Sequence, residues 1–398
     1  MSRLGTVAVV GASLTGLRAV QALRRAGFDG RLVAIGEESE RPYDRPPLSK
    51  EVLAGKWDAE RTRLLRPEDE GLDVEWRLGR AATGLDLAGR RVLLAGGESV
   101  GFDGLVNATG AFARRIPGTP ALAGIHVLRT LGDCVALRGE LDRSPRVAVI
   151  GAGFIGMEVA ATCRGRGLAV TVIEALAAPL ERGLGAALGG HVGELHREQG
   201  VDLRLGAKVA RFVGTKRVEA LELADGTRVP ADVVVVGIGA APATAWLEGS
   251  GLELRDGVVC DATCRATRAP FVVAAGDVAR WPNLLFDETL RIEHWTNATE
   301  QADHAVETLL AGDAGGAPFT PVPFVWSDQY DKKIQVAGRI EGADETRIVD
   351  GSLAERRFVM LFGRAGRLRG VLGINRSRLV MKYRAQIRAG AAFADAVT

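Results

Sequence analysis

Two stretches decide how this chain is read: Thr6-Val7-Ala8-Val9-Val10-Gly11-Ala12-Ser13-Leu14-Thr15-Gly16, and Val147-Ala148-Val149-Ile150-Gly151-Ala152-Gly153-Phe154-Ile155-Gly156. Each joins an apolar, β-branched run to a glycine-spaced turn and then to a helix-like stretch. A strand that turns this sharply into a helix needs backbone freedom at Gly11 and Gly151. Gly16 and Gly156 let the helix lie close on its strand. The unpaired amides at the helix start, with the dipole behind them, form a seat for a pyrophosphate. The second copy is complete. The first carries Ser13 where the pattern has glycine, and a small hydroxyl there still permits phosphate contact. An acid closes the next apolar run in both copies, Glu37 in the first and Glu174 in the second. One G-x-G-x-x-G is weak evidence, but strand, turn, helix and acid coincide here twice. The chain therefore reads as holding two dinucleotides and passing electrons between them.

The carboxylate of Glu174 would accept hydrogen bonds from ribose hydroxyls and repel a 2′-phosphate, which favours NADH over NADPH. A solvated acid at a strand end remains the alternative.

At 398 residues the chain exceeds a single core, so two or three domains are expected. Its 47% hydrophobic and 25% charged residues are those of a soluble globular protein. The apolar run at 233–245 is broken by Gly237, Gly239 and Pro242, short of a membrane span. A strand begins almost at the amino terminus, leaving no room for a signal peptide, and a cytoplasmic protein is expected. Neither nucleic acid nor membrane is expected as a partner, and the chain could be a monomer or a homodimer. The formal charge of +2 is uneven. Residues 331–398 hold 14 basic against 7 acidic residues, a surplus of seven, so the rest carries −5. A basic terminal module suggests an acidic partner, with Lys332, Lys333, Arg356 and Arg357 as candidate docking residues. A merely solvated, arginine-rich surface is the other reading. Cys134, Cys163, Cys260 and Cys264 form no C-x-x-C pair and no metal spacing, so no metal is expected and the thiols read as structural.

Along the chain, a first βαβ unit covers about residues 4–36. Prolines then mark 38–50 as an extended loop rather than a helix. The run Leu105-Val106-Asn107-Ala108-Thr109-Gly110 is a strand ending in a small-residue turn. A second βαβ unit spans about 146–174, and its later strand ends at Gly237-Ile238-Gly239. Phe271-Val272-Val273-Ala274-Ala275-Gly276-Asp277 is another buried strand with an acid at its tip, and a helix follows over about 297–310. Residues 312–323 read as a linker. The last segment alternates like strands, with turns expected at Gly338, Gly351 and Gly363. The fold class is α/β: two Rossmann-like dinucleotide-binding domains, the second inserted in the first, plus a carboxyl-terminal α+β domain. The expected bounds are 1–112 and 241–320 for the first domain, 113–240 for the second and 321–398 for the last.

The sequence resembles the FAD-containing, NADH-dependent ferredoxin reductases of bacterial oxygenase systems. The likeness runs from Val7 to about Arg388. Five separated blocks carry it: Arg41-Pro42-Tyr43-Asp44-Arg45-Pro46-Pro47-Leu48-Ser49-Lys50; residues 151–158; Ala274-Ala275-Gly276-Asp277-Val278-Ala279-Arg280-Trp281; Arg291-Ile292-Glu293-His294-Trp295-Thr296-Asn297-Ala298; and Trp326-Ser327-Asp328-Gln329-Tyr330. The resemblance implies FAD on the first turn, with Gly11, Ser13, Leu14, Thr15 and Gly16 at its pyrophosphate and Glu37 on its adenosine ribose. Thr109, Gly110, Gly276 and Asp277 belong to the same site. Arg45, Lys50 and Trp295 would lie against the flavin, with Ala82 and Arg129 on its adenosine side and Trp326 brought to the ring. NADH would take the second turn, using Gly151, Gly153, Phe154, Ile155, Gly156, Glu174 and Gly239, with Glu158 near the nicotinamide. Lys50 and Glu158 are the candidates for the reaction itself. An ordinary surface lysine, core tryptophans and a helix-start acid are the plain alternatives.

The implied reaction is hydride transfer from NADH to the flavin, then two single-electron steps to an acidic iron–sulfur ferredoxin ([2Fe–2S] or [3Fe–4S]) that feeds an oxygenase. Disulfide-reducing relatives of this fold keep a reactive thiol in the loop where Tyr43, Asp44 and Arg45 stand, and none is present here. A rubredoxin as acceptor, or an NADH-sensing flavoprotein with a binding role, are the other functions the residues allow.

Overall fold

The computed structural model describes residues 4–312 and 315–397. The chain divides into two compact units. The first comprises Met1–Asp44, Arg63–Phe112 and Ala241–Val325, and the second Arg45–Thr62, Ala113–Ala240 and Trp326–Thr398.

The first unit is built on a five-stranded parallel sheet ordered Val272–Ala274, Gly104–Asn107, Thr6–Val10, Arg31–Ile35, Glu75–Arg77. Its central strands are buried on both faces, which is why they read as continuous apolar runs rather than as alternation. From Thr6–Val10 the chain winds outward to one side, then returns through Gly104–Asn107 to the other. The order reverses between those two strands, and the crevice at such a reversal is where doubly wound sheets take ligands. Helices Leu14–Arg25 and Trp295–Ala311 pack together beside this sheet.

The second unit repeats the plan. Its parallel sheet runs Asp202–Leu205, Val170–Glu174, Val147–Ile150, Val233–Val236, Ile125–His126, with the reversal again beside the strand that feeds the glycine turn. Helices Phe154–Gly165 and Ala186–Glu198 belong to it. The fold class is thus α/β with two Rossmann-like domains, the second entered and left through the first. The carboxyl-terminal α+β module has an antiparallel sheet ordered Phe324–Gln329, Lys332–Gly338, Arg367–Ile374, Arg357–Arg364, Glu345–Ser352, with helix Ser377–Arg388 against it.

Three local expectations change. Pro46–Ser49 is a 3-10 turn, not extended chain, because Pro46 and Pro47 occupy first-turn positions whose N–H groups have no helical partner to lose. The loop Arg45–Thr62, expected with the first domain, packs within the second unit. Gly351 and Gly363 lie inside strands, next to register shifts after Ile348 and Phe362. The extra residues are Val349 and, on the facing strand, Arg369, so the strands bend at these bulges and run on through the glycines.

Candidate functional site

In the first unit, a Cβ on Gly11 would sit 2.1 Å from the Ala108 carbonyl oxygen, and one on Gly16 would sit 1.8 Å from that of Gly11. The turn is therefore closed to side chains at both ends. The middle position differs: Ser13 has φ −105° and its counterpart Gly153 φ −74°, extended backbone that any residue adopts. Ser13 can stand where a glycine was expected because the backbone here is ordinary extended chain that does not require glycine. The amide end of helix Leu14–Arg25 opens at Leu14, Thr15 and Gly16. Gly276, at φ +74°, lies so close to Thr15 that its Cβ would meet Thr15 Oγ1 at 2.5 Å, so the sheet-tip acid Asp277 follows directly beside the phosphate turn. The Gly276 amide donates to Gln301 Oε1 at 2.9 Å, which fixes that tip from beneath. Thr109 Oγ1 lies 2.9 Å from Asn107 Oδ1 and 3.0 Å from the Ala243 carbonyl oxygen, sharing its single hydrogen between them, and Gly110 follows at φ +70°. Glu37 is exposed just past strand Arg31–Ile35, and Ala82 is half-buried at the start of strand Ala82–Asp86. Trp295 Nε1 donates to Asp44 Oδ1 at 2.8 Å, tying the proline-rich loop to the start of helix Trp295–Ala311.

In the second unit, Cβ atoms on Gly151 and Gly156 would meet the carbonyl oxygens of Gly237 and Gly151 at 2.4 and 2.1 Å. Nothing stands within 4 Å of one on Gly153 or Gly239, so both face open space. Ile155 is exposed and Phe154 half-buried in the first helical turn. Glu174 Oε2 accepts from the Ala152 amide at 2.7 Å and Oε1 from the Leu176 amide at 2.9 Å. The acid is thus locked onto the turn it was expected to serve. Both turns suit a dinucleotide: a closed bend, an open helix start and an acid at the next strand's end.

Also within the second unit, Lys50 and Glu158 form a buried pair, Nζ to Oε2 2.7 Å, with side chains 14% and 3% exposed. Glu158 lies one turn into helix Phe154–Gly165, and the 3-10 turn at Pro46–Ser49 delivers Ser49 and Lys50 to it. Ser49 Oγ donates to Oε2 at 2.5 Å and Ser327 Oγ to Oε1 at 2.6 Å. Arg45 Nη1 donates to the Arg129 carbonyl at 2.6 Å, and the Arg129 amide to Asp133 at 3.1 Å. Trp326 is half-buried on the strand that carries Ser327. In the sequence Ser49, Ser327, Gln329 and Tyr330 stand out only within the blocks of the family resemblance, and no motif marks His196. The available signal was three polar residues at Ser327, Gln329 and Gln335 on otherwise buried strand positions.

All four cysteines are free and buried. Burial pushes the thiols up, to about 11 for Cys134 and about 12 for Cys163 and Cys264, and Cys260 well above the usual range. Cys264 Sγ accepts from Gln301 Nε2, a structural contact. Three of the four expected docking residues are engaged in ion pairs: Lys332 with Asp331, Lys333 with Asp328, and Arg356 with Glu198. The exposed bases of the module include Arg357, Arg364 and, on helix Ser377–Arg388, Arg378, Lys382 and Arg388.

Two dinucleotide seats, each at the reversal of its own parallel sheet, define an oxidoreductase that works with two nucleotide cofactors. The chain belongs to the family Pyridine nucleotide-disulphide oxidoreductase, matched over residues 5–302, and carries a Reductase C-terminal domain at 324–398. Its cofactors by that membership are FAD and NAD(H). It is 41% identical to a ferredoxin–NAD(P)+ reductase of Sphingomonas sp, covering 91% of this chain and 87% of that one. It is 38% identical to the ferredoxin–NAD+ reductase component of the biphenyl dioxygenase system of Paraburkholderia xenovorans (strain LB400), over 94% and 91%. It is 35% identical to putidaredoxin reductase of Pseudomonas putida, over 94% and 90%. Among solved structures, the covalent putidaredoxin reductase–putidaredoxin complex matches with a TM-score of 0.92 at 32% identity, covering 98% of this chain and 94% of that chain. The disulphide of the family's name is set against four cysteines that are here all free and buried.

Proposed function

We propose that this protein takes hydride from NADH onto FAD and passes the electrons singly to an acidic iron–sulfur ferredoxin of [2Fe–2S] or [3Fe–4S] type, which feeds a haem-thiolate monooxygenase or a Rieske oxygenase. One observation carries the reading: two dinucleotide seats coexist with four buried, free thiols, which argues against a disulfide relay and for an external one-electron acceptor. The named relatives support ferredoxin as that acceptor.

When bound, the flavin supplies the conversion between two-electron and one-electron chemistry. The chain binds, orients and tunes. Gly11, Ser13, Leu14, Thr15 and Gly16 hold the FAD pyrophosphate, Glu37 its adenosine ribose, and Thr109, Gly110, Gly276 and Asp277 the phosphate and ribitol. Arg45, Lys50, Trp295 and Trp326 serve the ring, with Ala82 and Arg129 on the adenosine side. Gly151, Gly153, Phe154, Ile155, Gly156 and Gly239 seat NADH, and Glu174 selects it over NADPH. Glu158 orients the nicotinamide, and the Lys50 cation favours negative charge gained by its neighbour. The proposed domain bounds are 1–112 with 241–320, 113–240 and 321–398, apart from the loop Arg45–Thr62, which packs with the second unit. A cytoplasmic setting fits a chain whose four thiols are all free.

The test is anaerobic. NADH bleaches the flavin absorption, and cytochrome c is then reduced only when a ferredoxin is added. Protein that binds no flavin, or a mixed disulfide trapped during turnover, would refute the proposal; slow bleaching without ferredoxin-dependent flux would favour a sensor.

A further inference from the structure

Glu158 is the end point of a longer chain of buried polar groups, all within the second unit. Gln329 Nε2 donates to Ser327 Oγ at 3.0 Å, His196 Nε2 lies 2.9 Å from Gln329 Oε1, and Tyr330 Oη lies 3.1 Å from His196 Nδ1. His196, Ser327 and Gln329 are wholly buried. Chemistry fixes the direction of every proton in it. Ser327 has one hydrogen and gives it to the carboxylate, so its oxygen must accept from the Gln329 amide. That turns the Gln329 carbonyl oxygen to His196, which therefore donates from Nε2. Burial pushes His196 down to about 4, so the ring is neutral and its Nδ1 accepts from Tyr330. The dipoles of Tyr330, His196, Gln329 and Ser327 thus all point at Glu158. Because an amide stands in the middle, the chain does not carry protons; it is a static arrangement. Sheet alternation places Ser327 and Gln329 on one face of strand Phe324–Gln329, which is how a carboxyl-terminal strand reaches helix Phe154–Gly165.

We infer that His196, Gln329 and Ser327 are a positioning relay that holds Glu158 in place beside Lys50, so that the carboxyl-terminal module sets the rate of hydride transfer. The inference rests on the proposed placement of Glu158 at the nicotinamide. It is distinct from ferredoxin docking, because it concerns the reductive half-reaction alone.

The experiment follows flavin bleaching by NADH in an anaerobic stopped-flow instrument, for the wild type, Ser327→Ala and Ser327→Thr. Ser327→Ala is expected to slow the limiting rate about tenfold, the factor of one hydrogen bond to a charged group. Its Kd for NADH and its KM for ferredoxin stay unchanged. Ser327→Thr keeps the hydroxyl and should stay within about twofold, although its added methyl disturbs packing more than alanine does. Bleaching of Ser327→Ala at the wild-type rate, or equal losses in both variants, would overturn the relay. Should Ser327→Ala not retain flavin, Tyr330→Phe decides: a rate roughly threefold slower supports the relay and a wild-type rate overturns it. Failure of the wild type itself to bleach would instead condemn the proposed function.

Discussion

Replacing Lys50 by methionine keeps much of the side-chain volume and removes the cation from a carboxylate that is only 3% exposed. The pair lies too deep for solvent screening to erase its energy, unlike an ion pair at the surface. Breaking a buried pair from one side costs about 3–5 kcal/mol, because a charge is left without its partner. Ser49 and Ser327 still donate to Glu158, so the lower end, about 3 kcal/mol, is expected for Lys50→Met. Glu158→Gln leaves Lys50 an amide oxygen but turns an NH₂ group toward a hydroxyl donor, a loss of about 2 kcal/mol. The double variant holds neither charge. Its cost should fall short of the sum of the singles by about 2 kcal/mol. Urea unfolding at fixed flavin loading, followed by circular dichroism and tryptophan fluorescence, reads all four corners of the cycle. Additivity within about 0.5 kcal/mol would refute the claim that these two residues form one energetic unit.

Glu174→Arg deprives the Ala152 and Leu176 amides of their acceptor and offers a cation to a 2′-phosphate. The kcat/KM ratio of NADH to NADPH should fall by about a hundredfold, and an unchanged ratio removes Glu174 from selectivity. A thiol-titrating disulfide reagent should find no reactive cysteine in the native protein at pH 8 and four after denaturation, since burial raises Cys134 to about 11, Cys163 and Cys264 to about 12, and Cys260 well above its usual range. For His196 the folded value of about 4 lies below the unfolded one near 6.5, so the unfolded chain takes up the proton first. Its contribution is full above pH 6.5 and is lost as pH falls toward 4, by up to about 3 kcal/mol. His196→Gln should flatten the urea midpoint over that window. Reversing Arg378, Lys382 and Arg388 should raise the ferredoxin KM about tenfold and weaken its salt dependence, with NADH bleaching unchanged. An effect on bleaching instead would place docking elsewhere.

The two glycine turns, the acids Glu37 and Glu174 and the buried strands were legible because they are local. A turn that excludes side chains, and a strand covered on both faces, each stamp their own few residues. The α/β class and the insertion of one Rossmann-like unit in the other follow from the order of such patches. What tertiary structure alone decided lies in residues brought together from far apart. Glu158 is served by Ser49, Lys50 and Ser327, more than a hundred positions away on either side. No periodicity encodes a bond between separate segments, so a helix-start acid and a solvated lysine stayed open as alternatives in the sequence. The same holds for the basic module. Composition revealed its surplus of charge, but only the fold showed that Lys332, Lys333 and Arg356 are held by acids while Arg378, Lys382 and Arg388 of helix Ser377–Arg388 are exposed.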